Sequence, residues 1–129
     1  PGFLRVALAY HRAGKMPPGS MIKLYFSGRP LGFGLPPTLP SLEAYLAMLD
    51  GTGLAWLVAV LGGDVIETGL ARMALERGGN IRVGLEDYDG PRTPSNLELL
   101  REAVALCTEM GRPVTTPAEA AKFLGMPTR

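Results

Sequence analysis

The sequence predicts an α/β fold, a partial (βα)8 TIM barrel, on three observations. Strand-like and helix-like segments alternate along the chain, and such alternation builds right-handed βα crossovers onto a parallel sheet. The segment AWLVAV, residues 55–60, is apolar without interruption, as a strand covered on both faces must be. Only three such strands occur in 129 residues, whereas a complete barrel takes about 250 residues. Three strands with free edges leave a parallel sheet unprotected, so residues 1–129 are expected to be one part of a single barrel domain whose N-terminal portion is absent.

The elements follow in order. Residues 3–12 can form a helix ending at Gly14, with no capping side chain ahead of it. MIKLYF, residues 21–26, is short, apolar and bounded by PPGS and SGRP, which predicts a strand. After a Gly- and Pro-rich loop, Leu42, Tyr45, Leu46 and Leu49 recur at helical spacing over residues 40–50, and Gly51 stops the run. The AWLVAV strand comes next. Asp64 can cap the following helix, with Ile66, Leu70, Met73 and Ala74 as its apolar stripe and Gly78 and Gly79 as its end. IRVGLE, residues 81–86, is the third strand. Ser95 and Glu98 form a capping-box pattern for a helix whose Leu97, Leu100, Val104 and Cys107 are expected to face inward. Thr116, Pro117 and Glu119 open a last short helix.

Composition excludes several function classes. Thirteen basic residues against twelve acidic ones leave a net charge of +1, and the basic residues are scattered, so no stripe exists to neutralise a nucleic-acid backbone. The longest uncharged run, residues 51–63, is too short to span a bilayer. The lone Cys107 can form neither an internal disulfide nor a Cys-rich zinc motif. PGFLRVALAYHR lacks a basic leader and cleavage site, and a cytoplasmic location is expected.

In βα architectures chemistry sits at the C-terminal ends of the strands. Three loops occupy that position here: SGRPLGFGLPPT, LGGD and EDYDGPRTP. In the third, strand alternation puts Arg82, Gly84 and Glu86 on one face, with Asp87 at the rim. A buried Arg and a buried Glu each need an opposite charge, so the two can form one polar column. Two readings stay open: an ion pair closing the barrel end with Asp87 solvated or capping the turn, or a reactive cluster.

The other candidates are less specific. LGGD places two glycines before a helix N-terminus, where backbone N–H groups either hold an anion or make a tight turn. GFGLPP lacks the third glycine of a dinucleotide fingerprint, and no Walker-type or nucleophile-elbow motif occurs. Ser27, just past the first strand, is a candidate substrate contact. His11, the only histidine, falls on the first helix and reads as a packing or surface residue; Cys107 and Trp56 read as core.

GGNIRVGLEDY, WLVAVLGGDV and NLELLREAVALCTEMGRPVTTPAEAAKFLG together resemble the C-terminal part of the β-keto acid cleavage enzyme family, over residues 21–127. The resemblance implies a zinc-bearing TIM barrel in which a β-keto acid reacts with acetyl-CoA by a retro-Claisen route, giving acetoacetate and a new CoA ester. It implies that Glu86 is a zinc ligand, that Asp87 is the catalytic base, and that Arg82 positions and activates it. Zinc with three protein ligands keeps a position open to polarise a carbonyl, and a carboxylate beside an Arg is expected to stay ionised.

The family supplies its other two zinc ligands as a His-x-His pair on an early strand, and this sequence has a single histidine. The chain therefore reads as the last three βα units plus a C-terminal helix, inactive without an N-terminal half. The competing reading is a non-catalytic half-barrel that binds or builds, and open sheet edges predict a homo-oligomer in either case. A third is another barrel enzyme that uses LGGD to hold a phosphate.

Overall fold

A computed structural model describes residues 1–28 and 31–126, and among these five helices accompany one parallel three-stranded sheet. Strand β1 (Met21–Ser27) pairs with β2 (Ala55–Leu61) along its whole length, Met21 opposite Ala55 and Ser27 opposite Leu61. The short β3 (Asn80–Ile81) pairs with the other edge of β2, giving the order β1-β2-β3. Helix α1 (Gly2–Arg12) precedes the sheet, while α2 (Leu39–Leu49) and α3 (Leu70–Glu76) form the two crossovers. Helices α4 (Asn96–Glu109) and α5 (Pro117–Phe123) follow. No helix among the described residues is long and apolar enough to cross a membrane. Arg29 and Pro30, in the loop after β1, lie outside the described residues.

Alternation along β1 and β2 separates two faces. Ile22, Leu24 and Phe26, with Val58 and Val60, join a core built with Leu4 and Leu8 of α1, Leu42, Tyr45 and Leu49 of α2, and Leu70 and Ala74 of α3. Lys23, Tyr25 and Ser27 of β1, with Ala59 of β2, point the other way. Ala59 is fully buried yet stands outside that apolar core.

The helix ends follow the polar signals. Ser95 Oγ accepts the Glu98 amide at 3.3 Å while the Glu98 carboxylate accepts the Ser95 amide at 2.7 Å, a complete capping box. Thr116 and Glu119 repeat it on α5. The Ser95 N–H and hydroxyl hold the Glu98 carboxyl below the usual range. Ser95→Ala is expected to cost about 1 kcal/mol in urea unfolding at pH 7. Because the pKa of Glu98 is lowered by folding, its contribution is present above the unfolded carboxylate range and is lost as pH falls through the folded value, so the gap narrows in acid.

Three expectations are corrected. The helix predicted from Asp64 begins only at Leu70: Asp64 Oδ1 does accept the Ile66 and Glu67 amides (2.7 and 3.2 Å), but it caps an isolated turn. Gly69, at φ 76°, adopts a left-handed conformation that ends that turn and sets the N-terminus of α3. On α4 the inward residues are Leu99, Ala103 and Leu106; Leu97, Leu100 and Val104 are exposed, and Cys107 is half-buried at the core's edge. Both sets have helical spacing, so periodicity alone could not choose the face.

The third correction concerns IRVGLE, which pairs as a strand only through Ile81, extended by the Arg82 amide bonding the Val58 carbonyl at 3.0 Å. The chain then leaves the ladder and rejoins it where Tyr88 bridges Gly63. From Val58 to Gly63 β2 advances five residues, while its partner advances seven, from Ile81 to Tyr88. Two residues are therefore extra, and they form a bulge of the kind that re-aims side chains beside functional sites.

Candidate functional site

The bulge decides where the acids go. The Asp87 and Tyr88 amides both turn back onto the Gly84 carbonyl at 3.2 Å, so residues 85–87 form a turn and not the end of a strand. The Asp87 carbonyl accepts the amides of Gly62 (2.9 Å) and Gly63 (3.3 Å), and the Asp89 amide donates to the Gly63 carbonyl at 3.1 Å. The Gly62 and Gly63 amides thus serve a tight inter-loop junction, which takes up two of the donors that an anion or phosphate site on this loop would need. Gly28 completes the junction, since a Cβ there would lie 1.6 Å from the Gly62 carbonyl oxygen.

Arg82, Glu86 and Asp87 do come together, with the acids' environments exchanged relative to the expected column. Glu86 is exposed, its side chain 76% accessible, and it pairs with Arg82 Nη2. Asp87 is buried, its side chain 6% accessible, with Oδ2 3.1 Å from Arg82 Nε. That approach lacks the alignment of a hydrogen bond, and neither carboxylate oxygen of Asp87 has a hydrogen-bond partner. Period-two alternation failed because it assumes an unbroken strand.

Burial pushes the Asp87 carboxyl above its ordinary value; the Arg82 charge opposes the shift, exposed Glu86 adds to it and Lys23 opposes it. The direction of the shift is set by desolvation, which outweighs the lowering by the Arg82 cation. A buried carboxyl with free oxygens and a raised pKa can accept and return a proton, and it is costly to keep charged.

The pattern of the sequence missed Tyr25 and Lys23. The Tyr25 hydroxyl receives Arg82 Nη1 at 2.5 Å and Lys23 Nζ at 3.3 Å. The available signal was the alternation of MIKLYFS, which puts Lys23, Tyr25 and Ser27 on one face. Ser27 is buried, its hydroxyl near the carbonyls of Gly28 (3.0 Å) and Leu31, so it serves the loop's own backbone. Beyond the strand ends lies an open cleft of about 770 Å³ lined by Gly28, Gly62, Gly63, Asp64, Glu67 and Asp89 among others, with no lining Lys, Arg or His among the described residues. Arg92 clamps the rim by pairing with both oxygens of Glu102 on α4, at 2.7 and 2.9 Å.

No group of three or more His, Cys, Asp or Glu side chains able to hold a metal occurs among the described residues. His11 lines a separate cleft with Trp56 and Asn80, beside the starts of β1 and β2. Glu86 is open to solvent and can donate one ligand; one carboxylate is not the three-ligand set of a catalytic zinc site. The described residues alone do not fit zinc.

Parallel βα units with a carboxylate–arginine cluster where the last strand ends define an α/β domain of the class that places its sites at the C-terminal ends of its strands. A match to the β-keto acid cleavage enzyme family extends over residues 1–126, and the chain belongs to that family. It is 43% identical over 77 residues to the 3-oxoadipate:acetyl-CoA acetyltransferase of Cupriavidus necator, covering 57% of this chain and 26% of that protein. It is 46% identical over 61 residues to the 3-keto-5-aminohexanoate cleavage enzyme of Acetoanaerobium sticklandii, covering 44% and 22%. With the Fusobacterium nucleatum protein of the same name the identity is 37% over 78 residues, covering 57% and 28%. The matched stretches thus span between 22% and 28% of these relatives' own lengths.

Proposed function

We infer that the chain forms the C-terminal part of a (βα)8 barrel that cleaves a β-keto acid with acetyl-CoA, yielding acetoacetate and a CoA ester. Family membership supports the reaction class. The observation that carries the site is Asp87: buried, paired in charge with Arg82, and with both oxygens free of hydrogen bonds. In this reading Asp87 moves the proton and Arg82 positions it, balancing the negative charge while leaving the oxygens available.

Glu86, exposed beside the same Arg82, is proposed as one ligand of a zinc ion whose remaining ligands come from outside the described residues. When bound, zinc would polarise the keto group. Elemental analysis tests this part. The isolated chain is expected to retain no stoichiometric zinc, and a full-length protein of this sequence about one ion per polypeptide, lost with acetoacetate formation in Glu86→Ala. Zinc and activity unchanged in Glu86→Ala would remove Glu86 from the site.

A further inference from the structure

We propose that Tyr25 is a positioning residue that acts through Arg82 to keep Asp87 a free base, and that Ala59 sets the space in which it does so. The proposal rests on the assignment of Arg82 and Asp87 as the proton-moving pair. Three residues on three adjacent strand segments form one row. Tyr25 pairs with Ala59 in the β1–β2 register, and Ile81 pairs with Val58. One step further, Arg82, whose amide bonds the Val58 carbonyl at 3.0 Å, stands beside Ala59.

Strands lie about 4.8 Å apart, so Tyr25 and Arg82 are roughly 10 Å apart at the backbone and must reach toward each other over the residue between them. They do: Arg82 Nη1 lies 2.5 Å from the Tyr25 hydroxyl. Alanine is the residue that lets this happen. Ala59 is fully buried although it lies outside the apolar core. A branched side chain at 59 would occupy the path of the guanidinium.

The contact matters because of what Arg82 does not do. A guanidinium beside a carboxylate normally adopts a two-bond fork, in which parallel N–H groups engage both oxygens. Here each nitrogen has a separate partner: Nη1 has Tyr25, Nη2 has Glu86, and Nε faces Asp87 at 3.1 Å without hydrogen-bond alignment. Tyr25 on Nη1 and Glu86 on Nη2 together hold Arg82 out of the fork, Tyr25 by fixing the plane and reach of the guanidinium, so that the charge stays close while the Asp87 oxygens stay unengaged. Lys23 Nζ, 3.3 Å from the same hydroxyl, fixes that oxygen as an acceptor. Without Tyr25, Arg82 can rotate onto Asp87 and tie up the oxygens that must receive the proton.

A double-mutant cycle in full-length protein tests this. Tyr25→Phe is expected to lower kcat about tenfold, with KM for both substrates held within about twofold. Arg82→Met lowers kcat further, and Tyr25→Phe is expected to add nothing in the Arg82→Met background. Ala59→Val should reproduce the effect of Tyr25→Phe. Undiminished kcat in Tyr25→Phe, or an effect that adds in full to Arg82→Met, would overturn the proposal while leaving the Arg82 and Asp87 assignment intact. Undiminished kcat in Arg82→Met would overturn that assignment and the proposal with it. A readout independent of turnover uses the 15N-labelled protein: exchange of the Arg82 Nε–H should slow measurably in Tyr25→Phe as the guanidinium docks onto Asp87, and an unchanged or faster rate overturns the proposal.

Discussion

Asp87→Asn is expected to remove activity and at the same time make the protein more stable. Loss of a positioned general base lowers kcat by about 10²- to 10⁴-fold. The gain in stability comes from the same burial: Asp87 is 5% exposed, its oxygens have no hydrogen-bond partner, and folding raises its pKa. An Asn of the same shape carries no charge to desolvate, and Arg82 keeps Glu86 and Tyr25 as partners. We expect the metal-free Asn variant to have the higher urea midpoint at neutral pH, because burial penalises the charged form of Asp87. The sign with pH follows from the raised pKa. Below the unfolded carboxylate range Asp87 is protonated in both states and the two proteins should match; as pH rises through the folded value the wild type loses stability relative to the variant. Urea midpoints at several pH values check it, and a wild type more stable than Asp87→Asn at neutral pH would contradict it.

The other large effect concerns the layer that carries the site. Phe26 is fully buried on the helix-facing side of β1, its ring edge-on to Tyr45 of α2 at 5.4 Å between centroids and 88° between planes. Phe26→Ala removes that pair and leaves a cavity between sheet and helix, which costs about 3–5 kcal/mol. Such a loss is a large share of the roughly 5–15 kcal/mol that holds a domain folded. Phe123→Ala, at a residue 72% exposed on α5, should shift the urea midpoint by less than about 0.5 kcal/mol equivalent. The comparison separates core packing from mere loss of an aromatic ring.

The strand and helix order was legible because its signals are local. MIKLYF and AWLVAV are apolar runs between breakers, and Ser95 with Glu98 and Thr116 with Glu119 cap through side chains three residues apart. Whatever depended on tertiary context was not legible. Gly69 reads as a helical residue until its left-handed conformation is seen. The inward face of α4 differs from the expected one because two apolar stripes compete on one helix and contact with the core selects between them.

Arg82, Glu86 and Asp87 were singled out from residue type, strand position and family resemblance, and the structure brings both acids against the one guanidinium. Which acid is buried was not readable. That depends on a two-residue bulge created by the Asp87 carbonyl docking on the Gly62 and Gly63 amides, a contact between loops distant in sequence. Tyr25 was missed for a related reason. Its partner Arg82 lies 57 residues away, and only the register of two strand pairings puts them in one row.

Acetoacetate release from a β-keto acid and acetyl-CoA, compared between full-length wild type and Asp87→Asn at neutral pH, bears most directly on the site. The wild type should release acetoacetate, and the variant should do so at least about a hundredfold more slowly with KM little changed. An Asp87→Asn protein that turns over at the wild-type rate would show that the buried carboxylate beside Arg82 is a structural charge and that the proton moves elsewhere.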